Sequence, residues 1–257
     1  MTLSYVVSGF TVGLLVGLTG VGGGALMTPI LTLLFGIPPS VAVGTDLAFA
    51  AATKTAGTFA HRFKGTVRWD IVRRLSYGTL PAALITTLLL KHFGAISADI
   101  STVIRYCIAV SVFLTVIALL FRGKLQAWFN AHPERQLQGH RLANTTILTG
   151  AVIGTLVTVS SIGAGVIGAT LLVLLYPRLS PAEIAGTDIA YAVPLTAIAA
   201  CGHWWLGSID WSLLGALLLG SVPGITIGSF AARAAPEKFL RGLLAIALTS
   251  VAFKLIY

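Results

Sequence analysis

Apolar residues fill long blocks of this chain and leave short polar gaps between them. In the first half the blocks cover 3–19, 22–37, 41–59, 71–90 and 103–121; in the second they cover 143–160, 163–176, 182–206, 211–232 and 239–256. Most approach the ~20 residues that a helix needs to cross a bilayer. The second block of each half is short, and glycines interrupt the approach to it. One polar stretch, 122–141, separates the halves, and Trp128 and Phe129 within it are expected to rest at a membrane interface. The pattern predicts an all-α polytopic membrane protein: a first transmembrane repeat over 1–121, a cytoplasmic linker over 122–142 and a second transmembrane repeat over 143–257.

The halves are related. Residues 39–81 recur at 181–223 with a constant shift of 142 positions: Pro39, Gly44, Thr45, Asp46, His61, Gly65, Trp69, Gly78 and Pro81 return as Pro181, Gly186, Thr187, Asp188, His203, Gly207, Trp211, Gly220 and Pro223. With Ala48, Ala50 and Leu75, twelve of these 43 positions are identical without a gap. An Ala- and Leu-rich composition produces chance matches of Ala and Leu, but not of Asp, His, Trp and Pro, so the chain is a duplication. Internal repeats of this kind are typical of membrane transporters. An odd number of crossings per half inverts one half relative to the other, whether the first two blocks of each half span or form a re-entrant hairpin.

Charge sets the orientation. Lys and Arg gather on the cytoplasmic side of membrane proteins. With the N-terminus outside, the inside receives Arg62, Lys64, Arg68, Arg73 and Arg74, the basic residues of the linker, Arg178, and Arg233, Lys238 and Arg241, whereas the outside receives Lys91, Arg105 and Lys254. Both termini are then expected outside. The loop after His61 is strongly basic and its mate after His203 carries no Lys or Arg, which independently supports inversion.

Composition agrees. Hydrophobic residues make up 56% of the chain and charged residues 10%, against roughly 25% charged in soluble domains; the mean hydropathy is +0.92. The net charge of +9 does not imply a nucleic-acid partner, because the basic residues end apolar blocks instead of forming a stripe with interleaved aromatics. Cys107 and Cys201 both lie in apolar blocks, which argues against a disulfide framework or a zinc site. No Lys or Arg precedes Lys54, so no secretory leader is expected. No Walker A sequence is present, and no metal cluster or Ser-His-Asp set falls on one face, so neither a cofactor nor an enzymatic activity is expected.

Four constellations can carry chemistry. Gly17-Leu-Thr-Gly20-Val-Gly22-Gly23-Gly24 is answered in the second half by Ser160, Ser161, Gly163 and Gly165. Such runs let the backbone leave helical geometry and offer N–H groups to an anion; the alternative is close helix packing through small residues. Irregular backbone within a bilayer is tolerated where it lines a cavity, which favours binding. The second constellation is Gly44-Thr45-Asp46 with Gly186-Thr187-Asp188. Each Asp lies ~10 Å into the membrane, at 1.5 Å per residue from its proline, and Ser180-Pro-Ala-Glu183 reads as a capping box at the start of the second copy. Intramembrane acids are proton- or ligand-site candidates; alternatively they bond backbone N–H groups of the broken neighbouring block. Third, Lys54 sits mid-block with Thr196 opposite it in the repeat. It can neutralise an anion, pair with Asp46, or snorkel to the interface. Fourth, His61 and His203 end the third blocks, where they can shuttle protons or simply belong to a turn with an interfacial Trp.

These residues resemble a known family. The opening Gly-x-x-x-Gly-x-x-Gly-x-Gly-Gly-Gly-x-Leu-x-x-Pro, the two Gly-Thr-Asp elements and the His-x3-Gly-x-Val-x-Trp turn are similar to the sulfite exporter TauE/SafE family of membrane permeases, over nearly the whole chain outside the linker. The resemblance implies a transporter of two related halves that moves sulfite, sulfoacetate, sulfolactate or similar anions, with proton-coupled export as the mode. The sequence departs from the family at Ser160-Ser161-Ile-Gly163-Ala-Gly165, which replaces a full triple glycine. The expected protein is a secondary active transporter in the bacterial inner membrane. Gly22, Gly23, Gly24, Thr45, Ser160, Ser161, Gly163, Gly165 and Thr187 bind a small anion, Asp46 and Asp188 couple protons, and Lys54, His61 and His203 stand as further candidates. A passive anion channel, or a permease for another carboxylate or oxyanion, is the alternative. The oligomeric state is left open.

Overall fold

The computed structural model describes residues 2–19, 24–63, 65–94, 98–132 and 136–231, together with positions 242 and 248. The described residues form helices without strands: α1 (Thr2–Thr19), α2 (Gly24–Leu34), α3 (Pro39–Phe63), α4 (Trp69–Phe93), α5 (Ala98–Ala131), α6 (Gly139–Ser160), α7 (Val166–Leu175), α8 (Pro181–Trp205) and α9 (Trp211–Ala231). Nine of the ten expected blocks are thus helices, eight of them within a few residues of their predicted ends. The tenth, 239–256, lies almost wholly outside the described residues. Four helices are long and apolar enough to cross a bilayer by length and composition: 100–128 within α5, α6, α8 and 211–228 within α9.

Local chemistry explains the boundaries. Pro181 opens α8 behind a complete capping box: Glu183 N–H donates to Ser180 Oγ at 3.3 Å and Ser180 N–H to Glu183 Oε2 at 2.9 Å. Gly94 closes α4 in the left-handed region and donates to the Lys91 carbonyl at 3.3 Å. The largest departure from the sequence reading is α5. The apolar block ended at 121, but the helix continues ten residues further, to Ala131. Residues such as Lys124, Leu125, Gln126 and Ala127 favour helix in water as well as in lipid, so the polar stretch begins as a helical extension. His132 Nδ1 meets the Trp128 carbonyl at 2.9 Å just past its end.

The short second helices also have a physical signature. At 1.5 Å per residue, the ten residues of α7 reach only ~15 Å, half of a ~30 Å hydrocarbon core. The Tyr176 hydroxyl at its end lies 2.8 Å from Thr146 Oγ1 near the start of α6. The pair α6–α7 therefore enters and returns at one face of the bundle, with its break at 161–165 inside.

Packing exchanges the two halves. Helix α1 lies along α9, α4 lies along α6, and α3 lies against α8. In a bilayer such contacts are made by small residues that bring backbones together, and here they are matched. A Cβ on Gly78 of α4 would collide with the Ile147 carbonyl of α6, and one on its repeat mate Gly220 of α9 would collide with the Val6 carbonyl of α1. The α3–α8 pair is antiparallel. Thr45, near the start of α3, accepts a bond from Asp210 N–H just past the end of α8, at 3.1 Å; Thr187, near the start of α8, accepts one from Arg68 N–H just past the end of α3, also at 3.1 Å.

The outer surface suits lipid. Leu84, Ile85, Leu88 and Leu89 of α4 and Tyr106, Val110, Phe113 and Leu120 of α5 are exposed. Tryptophans mark the rims: Trp69, Trp128, Trp204, Trp205 and Trp211 are exposed at or near helix ends, as in an interfacial aromatic belt. The Lys91 ammonium stands 3.3 Å from the Trp205 ring centroid, and Trp204 meets Trp211 edge-on.

Candidate functional site

The centre of the molecule is where α3 and α8 cross the break between α6 and α7, and it gathers most of the polar groups that sequence singled out. Asp46, Lys54, Asp188, Ser160, Ser161, Thr45, Thr187 and His203 are all buried. Burial of this many polar groups costs free energy unless each finds a partner, so their partners indicate which are structural and which are available.

The break itself is built by backbone conformations unusual for helices. Ser161 caps α6 with φ 59°, the one positive φ at a residue other than glycine among the described residues. Gly163 and Gly165 follow at φ 136° and 145°, which side chains do not tolerate. Ser160 is consumed in holding this turn: its Oγ donates toward the Leu156 carbonyl at 2.7 Å, accepts from Ile162 N–H at 3.2 Å and lies 3.1 Å from Ser111 Oγ of α5. Ser160 is therefore a structural brace as placed, whereas the Ser161 hydroxyl is buried without a hydrogen bond and borders Asp46. The first-half glycines Gly22 and Gly23 lie outside the described residues, and Gly24 begins α2.

Lys54 does not snorkel. Its ammonium turns inward from α3 and donates to the Ala164 carbonyl in the α6–α7 break at 2.9 Å, with no carboxylate at ion-pair distance among the described residues. Both Asp188 and Asp46 act on it electrostatically. Among the described residues this buried cation is thus bonded to one neutral carbonyl, with two buried acids within electrostatic reach.

The two acids are held differently. Asp46 Oδ2 accepts a 2.6 Å bond from Thr28 Oγ1 of α2, while its Oδ1 has no hydrogen bond. Asp188 faces Gly168 in the first turn of α7, where a Cβ would strike both Asp188 Oδ1 and the Tyr191 hydroxyl. Neither of those two oxygens makes a hydrogen bond of good geometry. Thr170, the repeat mate of Thr28, spends its hydroxyl on the Val166 carbonyl of its own helix at 2.7 Å. The sequence reading did not single out Thr28 and Tyr191. The signal for Tyr191 was present, since it replaces Phe49 in the repeat and adds one hydroxyl beside Asp188.

The remaining candidates are committed elsewhere. Thr45 and Thr187 are engaged by the backbone of the opposite half, as described above. His203 Nε2 donates to the Thr158 carbonyl of α6 at 2.9 Å, its Nδ1 is unpartnered, and its ring is fully buried. His61 belongs to α3, but its side chain lies outside the described residues. No group of three or more His, Cys, Asp or Glu suited to a metal occurs among the described residues.

A half-spanning helix, a helix break and buried charge at matching places of two halves form an architecture shared by many transporters. The family profile described as Sulfite exporter TauE/SafE matches residues 5–255. The chain belongs to this family of membrane transporters. Among relatives of the TauE/SafE protein is the probable membrane transporter protein YjnA of Bacillus subtilis, 37% identical over 229 residues, 89% of each chain. The probable membrane transporter protein YdhB of the same organism is 29% identical over 90% of this chain and 91% of its own length. A probable membrane transporter protein of Xylella fastidiosa (strain 9a5c) is 26% identical over 97% and 93%. No solved structure matches significantly.

Proposed function

We propose that this TauE/SafE protein is a secondary active transporter that exports small sulfur-containing anions, such as sulfite or organosulfonates, across the bacterial cell membrane in exchange with or together with protons. The observation that carries the reading is Lys54: a buried ammonium, held at a helix break by one carbonyl and flanked by two buried carboxylates. An anion arriving at the break meets a cation whose present partner is neutral, so the exchange favours binding. The Ser161 hydroxyl and the backbone of residues 163–165 add donors. Asp46 and Asp188 gain or lose protons as the anion comes and goes, because anion and carboxylates compete for the same lysine charge. The two halves act as inverted repeats around this point, with both termini outside and the linker in the cytoplasm; the antiparallel α3–α8 pair supports that arrangement.

Reconstituted protein tests the reading. Sulfite, thiosulfate, sulfoacetate and carboxylate analogues are screened by thermal shift, where a ligand at 100 times its Kd stabilises by about 2.7 kcal/mol. Flux of the best binder is then followed in proteoliposomes with an imposed pH gradient. The expected result is flux that follows the gradient and is lost in Lys54→Met. Flux indifferent to the gradient identifies a passive channel and overturns proton coupling; binding unaffected by Lys54→Met removes the lysine from the site.

A further inference from the structure

A second cationic feature lies away from the buried centre. At the face that carries the linker, a cavity of about 470 Å³ opens between the α3–α4 turn, the residues leading into α6 and the α7–α8 turn. Arg68, Arg178, Gln136, Gln138, Tyr176 and Asp70 give it polar walls, and leucine and isoleucine side chains line the rest. Its size falls in the range of small-molecule sites, ~300–1,000 Å³. Arg68 is only loosely committed: its guanidinium lies 3.5 Å from both Asp70 and Glu183, with 44% of the side chain exposed, longer than the 2.7–2.9 Å of a strong charge-assisted bond. Arg178 has no carboxylate at ion-pair distance among the described residues. The Arg68 backbone N–H meanwhile bonds the hydroxyl of Thr187, the residue before Asp188 in α8, which ties the rim of the cavity to the helix that carries the buried acid.

The repeat supplies the control. Shifting the two arginine positions by 142 residues leads to the opposite end of the repeat, where Arg68 becomes Asp210 and Arg178 becomes Gly36. The linker-side cavity carries two guanidiniums beside Asp70, whereas the corresponding positions opposite carry Asp210, Gly36 and Ser212 and no cation. Duplication alone would have produced equal ends, so these positions have diverged between the two copies.

Resting on the transport reading above, we propose that this cavity is a vestibule that collects small organic anions from the linker side before they pass to the Lys54 site. Arg178 and Arg68 bind the sulfonate or carboxylate group, and the aliphatic wall takes up its short apolar body. With no arginine at the two corresponding positions opposite, that end holds the anion less tightly and is the one that releases it. Charges at the rim of a site act on capture and on its salt dependence more than on later steps.

The test uses the full-length protein in right-side-out and inside-out membrane vesicles, with sulfoacetate as probe. Arg178→Gln should raise KM for sulfoacetate offered at the linker face roughly threefold to tenfold and flatten its dependence on salt. The kcat, the KM from the opposite face and the melting temperature should stay unchanged, and Arg178→Lys should restore most of the loss. An unchanged KM, or an equal rise from both faces, overturns the vestibule while leaving the transport reading intact. Wild-type vesicles that move no sulfoacetate, sulfite or other small anion overturn both.

Discussion

Asp188 and Asp46 occupy equivalent positions of the repeat, yet their surroundings differ. Thr28 fastens one oxygen of Asp46, whereas Thr170 is turned away from Asp188 and bonds its own helix. A carboxylate held by a short hydroxyl bond is fixed in place; one beside a glycine surface and a phenol is less constrained. Asp188→Asn is therefore expected to keep anion binding and lose the response of flux to a pH gradient, and Asp46→Asn to weaken binding while retaining much of that response. Proteoliposome flux measured with and without the gradient separates the two; full gradient dependence in both variants would pass the coupling role to His203 or His61. At this scale the sequence was informative about charge and silent about partnership. An Asp or Lys within an apolar block announces itself because its burial is expensive. That Thr45 and Thr187 would spend their hydroxyls on loops of the opposite half, or that Ser160 would brace its own turn, depends on distances that no local pattern encodes.

Among the elements, the shared seams are the α1–α9 and α4–α6 contacts. Their backbones approach so closely at Gly78 and Gly220 that a single added carbon meets a carbonyl of the neighbour. Gly78→Leu and Gly220→Leu should each destabilise the detergent-solubilised protein by roughly 1–3 kcal/mol through overpacking. The losses should be similar in size, read as melting temperatures, since the two sites are equivalent; a large loss at one and none at the other would show that only one seam is rigid. Helix existence was legible from the blocks, because apolar runs of this length have few other options in a bilayer. Helix ends were not. The continuation of α5 to Ala131 follows from residues that favour helix in any solvent, and a reading that tracks hydropathy ends the element where the lipid ends. The shortness of α7 was legible from its glycines and its short block, but those left open whether the segment spans or re-enters.

For the molecule as a whole, the proposed inversion, which the antiparallel α3–α8 pair supports, has a consequence for sidedness. Asp70 and Ser212 are repeat mates, both exposed at helix starts, and inversion puts them on opposite sides of the membrane. In a background with Cys107 and Cys201 replaced by Ala, Asp70→Cys should react with an impermeant thiol reagent from the cytoplasm and Ser212→Cys from outside; labelling of both from one side would refute the inversion. Family membership and the duplication were readable from spaced Asp, His, Trp and Pro residues, whereas the reciprocal bonds that lock the halves together needed coordinates. Lys54 has a consequence at this scale as well. A scaffold whose halves were identical could open toward either compartment by exchanging their roles, and the two open forms would be equal in energy. A lysine matched by Thr196 on the other half removes that degeneracy, since the charge travels with one half only. A difference of 1.4 kcal/mol already weights two states about ten to one, so a single unmatched residue suffices to give a symmetric frame a resting direction.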